Sequence, residues 1–142
     1  MSNPEKLRIH IENLGDNPKL FIHVECYCPT YKQKGTIKVQ KKGDPSTEKV
    51  FSFGPVSTGN KYVNAENFTY DIANGTYYDV EVAIQNDQGK SNWTDSRIDT
   101  HHTDNAHPNY YEKMICSEDH SPELVEFNDT IVRFVWFSIP TL

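Results

Sequence analysis

The stretch Ile72-Ala-Asn-Gly75-Thr-Tyr-Tyr78-Asp-Val80-Glu-Val82-Ala-Ile84-Gln-Asn86-Asp-Gln-Gly89-Lys-Ser91-Asn-Trp93-Thr94 decides the fold. Tyr78, Val80, Val82 and Ile84 recur at every second residue, and successive side chains of a strand point to opposite faces, so this run predicts a strand with one buried face. Gly75 upstream supplies a turn, and the Gly89 region downstream supplies a loop. A half-buried strand has to lie against a second layer, so the expectation is an all-β antiparallel sandwich.

Working outward, Leu7, Ile9 and Ile11 alternate before a polar turn at 13–18, and Phe21 to Cys28 alternates until Pro29. Gly35 to Gln40 is a further strand, a Gly43-Asp-Pro-Ser turn precedes Val50 to Phe53, and Tyr62 to Tyr70 leads into the Gly75 corner. A strand is expected from Trp93 to Ile98, a polar loop from His101 to Pro108, and strands again at Tyr110 to Cys116 and Thr130 to Phe137. In the last of these Ile131, Arg133, Val135 and Phe137 share one face and Val132, Phe134 and Trp136 the other, so both faces are mostly apolar. A strand apolar on both faces belongs in the middle of a sheet or under a partner. No segment of helical length shows a 3.6-residue period, so no long helix is expected.

The order of an apolar Ile72, a Gly-Thr turn, Tyr78 and then Asn86, Gly89, Ser91 and Trp93 resembles the E–F–G region of a fibronectin type III domain, within the wider immunoglobulin-like class. The resemblance covers about residues 20–100. It implies that the Tyr78 phenol closes the turn by bonding to backbone a few residues upstream. The chain departs from the pattern in two places. The Trp usual on the second strand is replaced by the Cys26 and Cys28 region, and residues 101–142 continue past the last expected strand. The reading is one domain over 1–142, a core at 20–100 with a C-terminal strand extension at 101–142 packing on it. A second resemblance, to the intracellular sandwich lectins of fungal fruiting bodies, implies sugar binding; it is carried by fold type and not by a lectin motif.

Composition narrows function. With 142 residues, 36% apolar and 12% aromatic, the chain can bury a core of its own. A net charge of -6 argues against a nucleic-acid partner, which draws on clustered Lys and Arg, and the basic run Lys38 to Lys42 reads as the solvated face of a strand. No apolar run reaches the roughly 18 residues of a spanning helix, and the N-terminus lacks a secretory h-region, so the expected location is cytoplasmic, or secreted if a leader was removed. Four Asn-x-Ser/Thr acceptors, at Asn67, Asn74, Asn92 and Asn128, are too small an excess over chance to change that. Cys26 and Cys28 share a face with Ile22 and Val24 and read as core, with a bridge from one of them to Cys116 as the alternative.

Three functions follow. The first is a non-enzymatic binding module recognising a glycan or glycoprotein through loops that combine aromatic rings with amides and carboxylates. Its candidate residues are Tyr62, Asn92, Trp93, Asp95, Asn109 and Tyr110, the rings stacking on sugar C–H faces and Asn or Asp fixing hydroxyls. The second is a protein–protein assembly domain, homodimeric through the doubly apolar strand 131–137. The third is a metal-dependent enzyme in which His101, His102 and His107 hold a divalent ion, imidazole being a ligand for borderline metals. No cofactor is expected under the first two. An oxygen cage at Asp95, Asp99 and Asp104 lacks EF-hand spacing, and no Gly-x-Ser-x-Gly elbow or phosphate-cradling Gly run is present.

Overall fold

A computed structural model describes residues 4–11, 14, 17–27, 31–57, 63–88, 92–107, 110–118 and 129–138, with the backbone alone for 101–107. Ten strands follow in chain order: β1 (Glu5–Ile11), β2 (Pro18–Cys26), β3 (Gln33–Lys41), β4 (Asp44–Val56), β5 (Val63–Asp71), β6 (Thr76–Asn86), β7 (Thr94–Asp95), β8 (Arg97–His107), β9 (Tyr110–Glu118) and β10 (Thr130–Ser138). They form two antiparallel sheets, and the described residues contain no helix. The first sheet runs β1-β6-β3-β4, with the short β7 beside β6; the second runs β5-β2-β10-β9-β8.

The alternation that predicts a half-buried β6 is realised. Tyr78, Val80, Val82 and Ile84 are buried, while the residues between them are half-buried. They meet Ile9 and Ile11 of β1, Ile37 and Val39 of β3, and across the layer Leu20, Ile22, Val24, Ile115, Val132 and Phe134. This one continuous core makes the molecule a two-layer sandwich. The mostly apolar strand β10 lies in the middle of its sheet, paired with β2 on one side and β9 on the other, as expected of a strand with little polar surface on either face. The Tyr78 hydroxyl accepts a hydrogen bond from the Ala73 amide at 2.9 Å, closing the turn at Gly75 (φ +76°), where a side chain would be strained. Tyr70 donates to the Thr47 carbonyl at 2.9 Å, tying β5 of one sheet to β4 of the other.

Two expectations need correction. The strand expected from Trp93 to Ile98 divides: β7 pairs with β6 in the first sheet, and after Ser96 the chain crosses to begin β8 in the second. The segment from His101 to His107 is not a polar loop. It is extended, and its backbone pairs with β9, His101 opposite Met114, His102 opposite Lys113 and Thr103 opposite Glu112. The physical reason is position: β8 is the edge of its sheet, and an edge strand tolerates the polar residues that a central strand cannot.

The cysteines also separate. Cys26, opposite Thr130, faces the core, whereas Cys116, opposite Ile131, lies on the other side of the sheet, and both are free thiols. A Cys26–Cys116 bridge is therefore excluded by geometry, and Cys28 lies outside the described residues.

Candidate functional site

The end of β6 is held by polar side chains that fix the loop after it. Asn86 is fully buried; its amide donates to the Ser96 hydroxyl at 3.0 Å and its carbonyl oxygen accepts from the Gln88 amide at 3.1 Å. An Asn bonding two residues ahead is a turn former, and it accommodates the positive φ of Gln88 (+52°). A carboxylate oxygen of Asp87 accepts from the Lys32 amide at 2.9 Å, and the Asp87 carbonyl accepts from the Asn92 amide at 3.2 Å. The Ser96 amide donates to the Ile84 carbonyl at 3.0 Å. These bonds deliver Asn92, Trp93, Thr94 and Asp95 to the edge of the first sheet.

There the register assembles a row. Lys34 on β3 lies opposite Gln85 on β6, and Gln85 lies opposite Asp95 on β7. The Gln85 amide donates to an Asp95 carboxylate oxygen at 3.2 Å. The Lys34 ammonium sits 4.2 Å from the centroid of the Trp93 ring, a cation–π arrangement. Trp93 is half-buried, and Asn92 and Asp95 are exposed. One site thus combines an indole, an ammonium, two amides and a carboxylate, a set that meets both the C–H faces and the hydroxyls of a polyol.

The structure brings three of the six predicted ligand residues together here. Tyr110 is elsewhere. On β9 it lies opposite Phe137 of β10 and stacks on that ring at 6.1 Å, while Phe137 stacks on Phe21 at 5.2 Å. The Trp93 end of the sandwich is marked by Thr130, whose hydroxyl donates to the Gln33 side chain at 3.1 Å, and Gln33 is opposite Asn86. From Thr130 to Phe137 is a rise of about 23 Å along an extended strand, so Tyr110 and Trp93 belong to opposite ends. Tyr62 and Asn109 lie outside the described residues. Lys34 and Gln85 were missed by sequence reasoning; their proximity to Trp93 depends on register between strands distant in sequence.

The metal reading fares differently. It relied on a loop free to wrap an ion, and the His101 to His107 backbone is a ladder strand instead. The side chains of His101, His102 and His107 lie outside the described residues, and among the described residues no group of three or more His, Cys, Asp and Glu is placed to hold a metal ion.

The outer face of the second sheet carries a chain of polar contacts across four strands. His23 bonds Asn67 through one ring nitrogen and lies 3.2 Å from Glu25 through the other. Arg133 bridges Glu25 at 3.3 Å and Glu112 at 2.9 Å. Burial works against the Arg133 charge, and the two carboxylates outweigh it, holding its pKa above the ordinary value.

A comparison with protein-family models finds no match, and a comparison with curated protein sequences finds none either.

Proposed function

We propose that this protein is a non-enzymatic, lectin-like binding module whose ligand is a glycan or glycoprotein met at the Trp93 edge of the first sheet. One observation carries the reading: Lys34, Gln85 and Asp95 form a cross-strand row beside Trp93, with Asn92 adjoining. Aromatic rings stack on sugar faces, and amide and carboxylate groups fix hydroxyl directions. Because Lys34 covers one indole face, a sugar ring meets the opposite face or displaces the ammonium. The pinned loop adds preorganisation, which lowers the ordering cost of binding. The finer likeness to a fibronectin type III domain is supported by the Tyr78 bond to Ala73 at the Gly75 turn.

A glycan array tests this. Binding is expected to at least one saccharide class, and Trp93→Ala is expected to weaken it about tenfold or more while shifting stability by no more than about 1 kcal/mol. A folded protein silent across a broad array sinks the proposal.

A second reading, assembly into a homodimer, is favoured by a different observation. Phe21, Phe137 and Tyr110 form a stacked row on the outer face of the second sheet, and Tyr110 is 37% exposed. Light scattering at increasing concentration decides it: a mass that stays at 16.4 kDa removes it.

A further inference from the structure

We infer that the outer edge of β1 fits a second copy of this chain, strand to strand, and that the Lys113 ammonium, reaching across from the second sheet, keeps that contact closed. Among the described residues β1 pairs only with β6, so its other side presents main-chain groups that no strand takes. Such an edge is a template for a further strand, and a charge pointing inward beside it is one of the ways proteins prevent the addition. Lys113 fits that description. On β9 it lies opposite the fully buried Phe134 of β10, and its neighbours on the same face are Tyr111 and Ile115, both packed in the core. The lysine interrupts this apolar series, and its ammonium donates to the Arg8 carbonyl of β1 at 2.9 Å. Successive residues of a strand turn their main-chain groups to opposite sides. The Ile11 carbonyl accepts from the Gly75 amide just ahead of β6, so the Arg8 carbonyl, three residues earlier, turns to the outer side. Arg8 is the middle residue of the outward set Lys6, Arg8 and His10, and its acceptor is the one an added strand would need at its centre.

The opposite edge of the same sheet carries the same device in different chemistry. There the Thr47 carbonyl of β4 is taken by the Tyr70 hydroxyl, again from the second sheet. β4 also contains Pro45 and Pro55, which offer no amide to a neighbour, whereas Glu5 to Ile11 contains no proline. The protection of β1 therefore falls to Lys113. Burial works against its charge and holds its pKa below the ordinary lysine value. A cation kept where burial disfavours it is poorly explained by stability and well explained by exclusion of a wrong partner. A second copy is the partner that fits. An antiparallel pair centred on Arg8 sets Leu7 of each copy opposite Ile9 of the other, so the apolar inner layer continues across the junction. On the outer face the same pair sets Lys6 opposite His10 and Arg8 opposite Arg8, a repulsion that salt screens.

The test is sedimentation of the wild-type chain, Lys113→Met and Lys113→Arg in about 0.5 M salt, paired with amide hydrogen exchange. Methionine keeps much of the apolar stem and removes the charge. The expected result is that Lys113→Met rises about twofold in mass with concentration while the Lys6 and Arg8 amides slow their exchange. Wild type and Lys113→Arg show no slowing at those amides. Association of the wild type through the Tyr110 row, the second reading above, leaves them unchanged as well, so the two contacts are told apart. A Lys113→Met chain that keeps the wild-type mass, or gains mass without slowing at Lys6 and Arg8, overturns the inference. So does one that fails to fold, because the lysine would then be holding the two layers together.

Discussion

Tyr78 and Tyr70 occupy similar chemistry with different consequences. Their rings meet edge to face at 5.7 Å in the core, but the Tyr78 hydroxyl accepts from a backbone amide in its own turn while Tyr70 donates across to the other sheet. Removing the Tyr78 hydroxyl leaves the Ala73 amide without its partner, so Tyr78→Phe is expected to cost about 1 to 3 kcal/mol in urea denaturation. Cys26 is sensitive to pH in a way that identifies it. Burial pushes its thiol up to about 11, opposed by the Thr130 hydroxyl at 3.5 Å and reinforced by the Asp129 charge. Because the folded value lies above the ordinary 9.0, the stability from the neutral thiol is complete below pH 9 and is lost as pH rises towards 11. The loss is at most about 2 to 3 kcal/mol, and the difference between wild type and Cys26→Ala across that range measures it.

At the scale of elements, β10 shows how much of the fold the sequence exposes. Its apolar residues on both faces call for a central position, and Phe134, fully buried, fills it. Phe134→Ala is expected to cost about 3 to 5 kcal/mol in denaturant unfolding. Gly35 of β3 marks a close approach: a methyl group there would meet the Ala83 carbonyl oxygen at 2.4 Å and the Phe53 ring at 2.6 Å. Gly35→Ala should therefore destabilise by about 1 to 3 kcal/mol through overpacking. Where period-2 alternation was strong, as in β1, β2, β6 and β10, the strands were legible. β8 beyond Ile98 was not, because the run from Asp99 to His107 carries no apolar alternation to read. The passage of the chain between sheets at Ser96 was hidden for another reason: Trp93 to Ile98 is continuous in sequence, and only its pairing with β6 and then β9 divides it.

For the whole molecule, legibility of the site follows the same rule. Asn92, Trp93 and Asp95 are near one another in sequence and remain so in space, whereas Tyr110 was grouped with them on residue type and stands at the far end of the other sheet. Lys34 and Gln85 carry no motif and join Asp95 only through register across β3, β6 and β7. The buried polar end formed by Gln33, Asn86, Ser96, Ser117 and Thr130 holds that register from within, since each such group needs its partner once removed from water. Recognition at the Trp93 edge of the first sheet is tested most directly by backbone amide shift mapping during a titration with the saccharide that binds best on the array. Shifts gathered at Lys34, Gln85, Asn92, Trp93 and Asp95 are the predicted result. A spectrum unchanged at those amides, or changes confined to β9 and β10 around Tyr110 and Phe137, would contradict it.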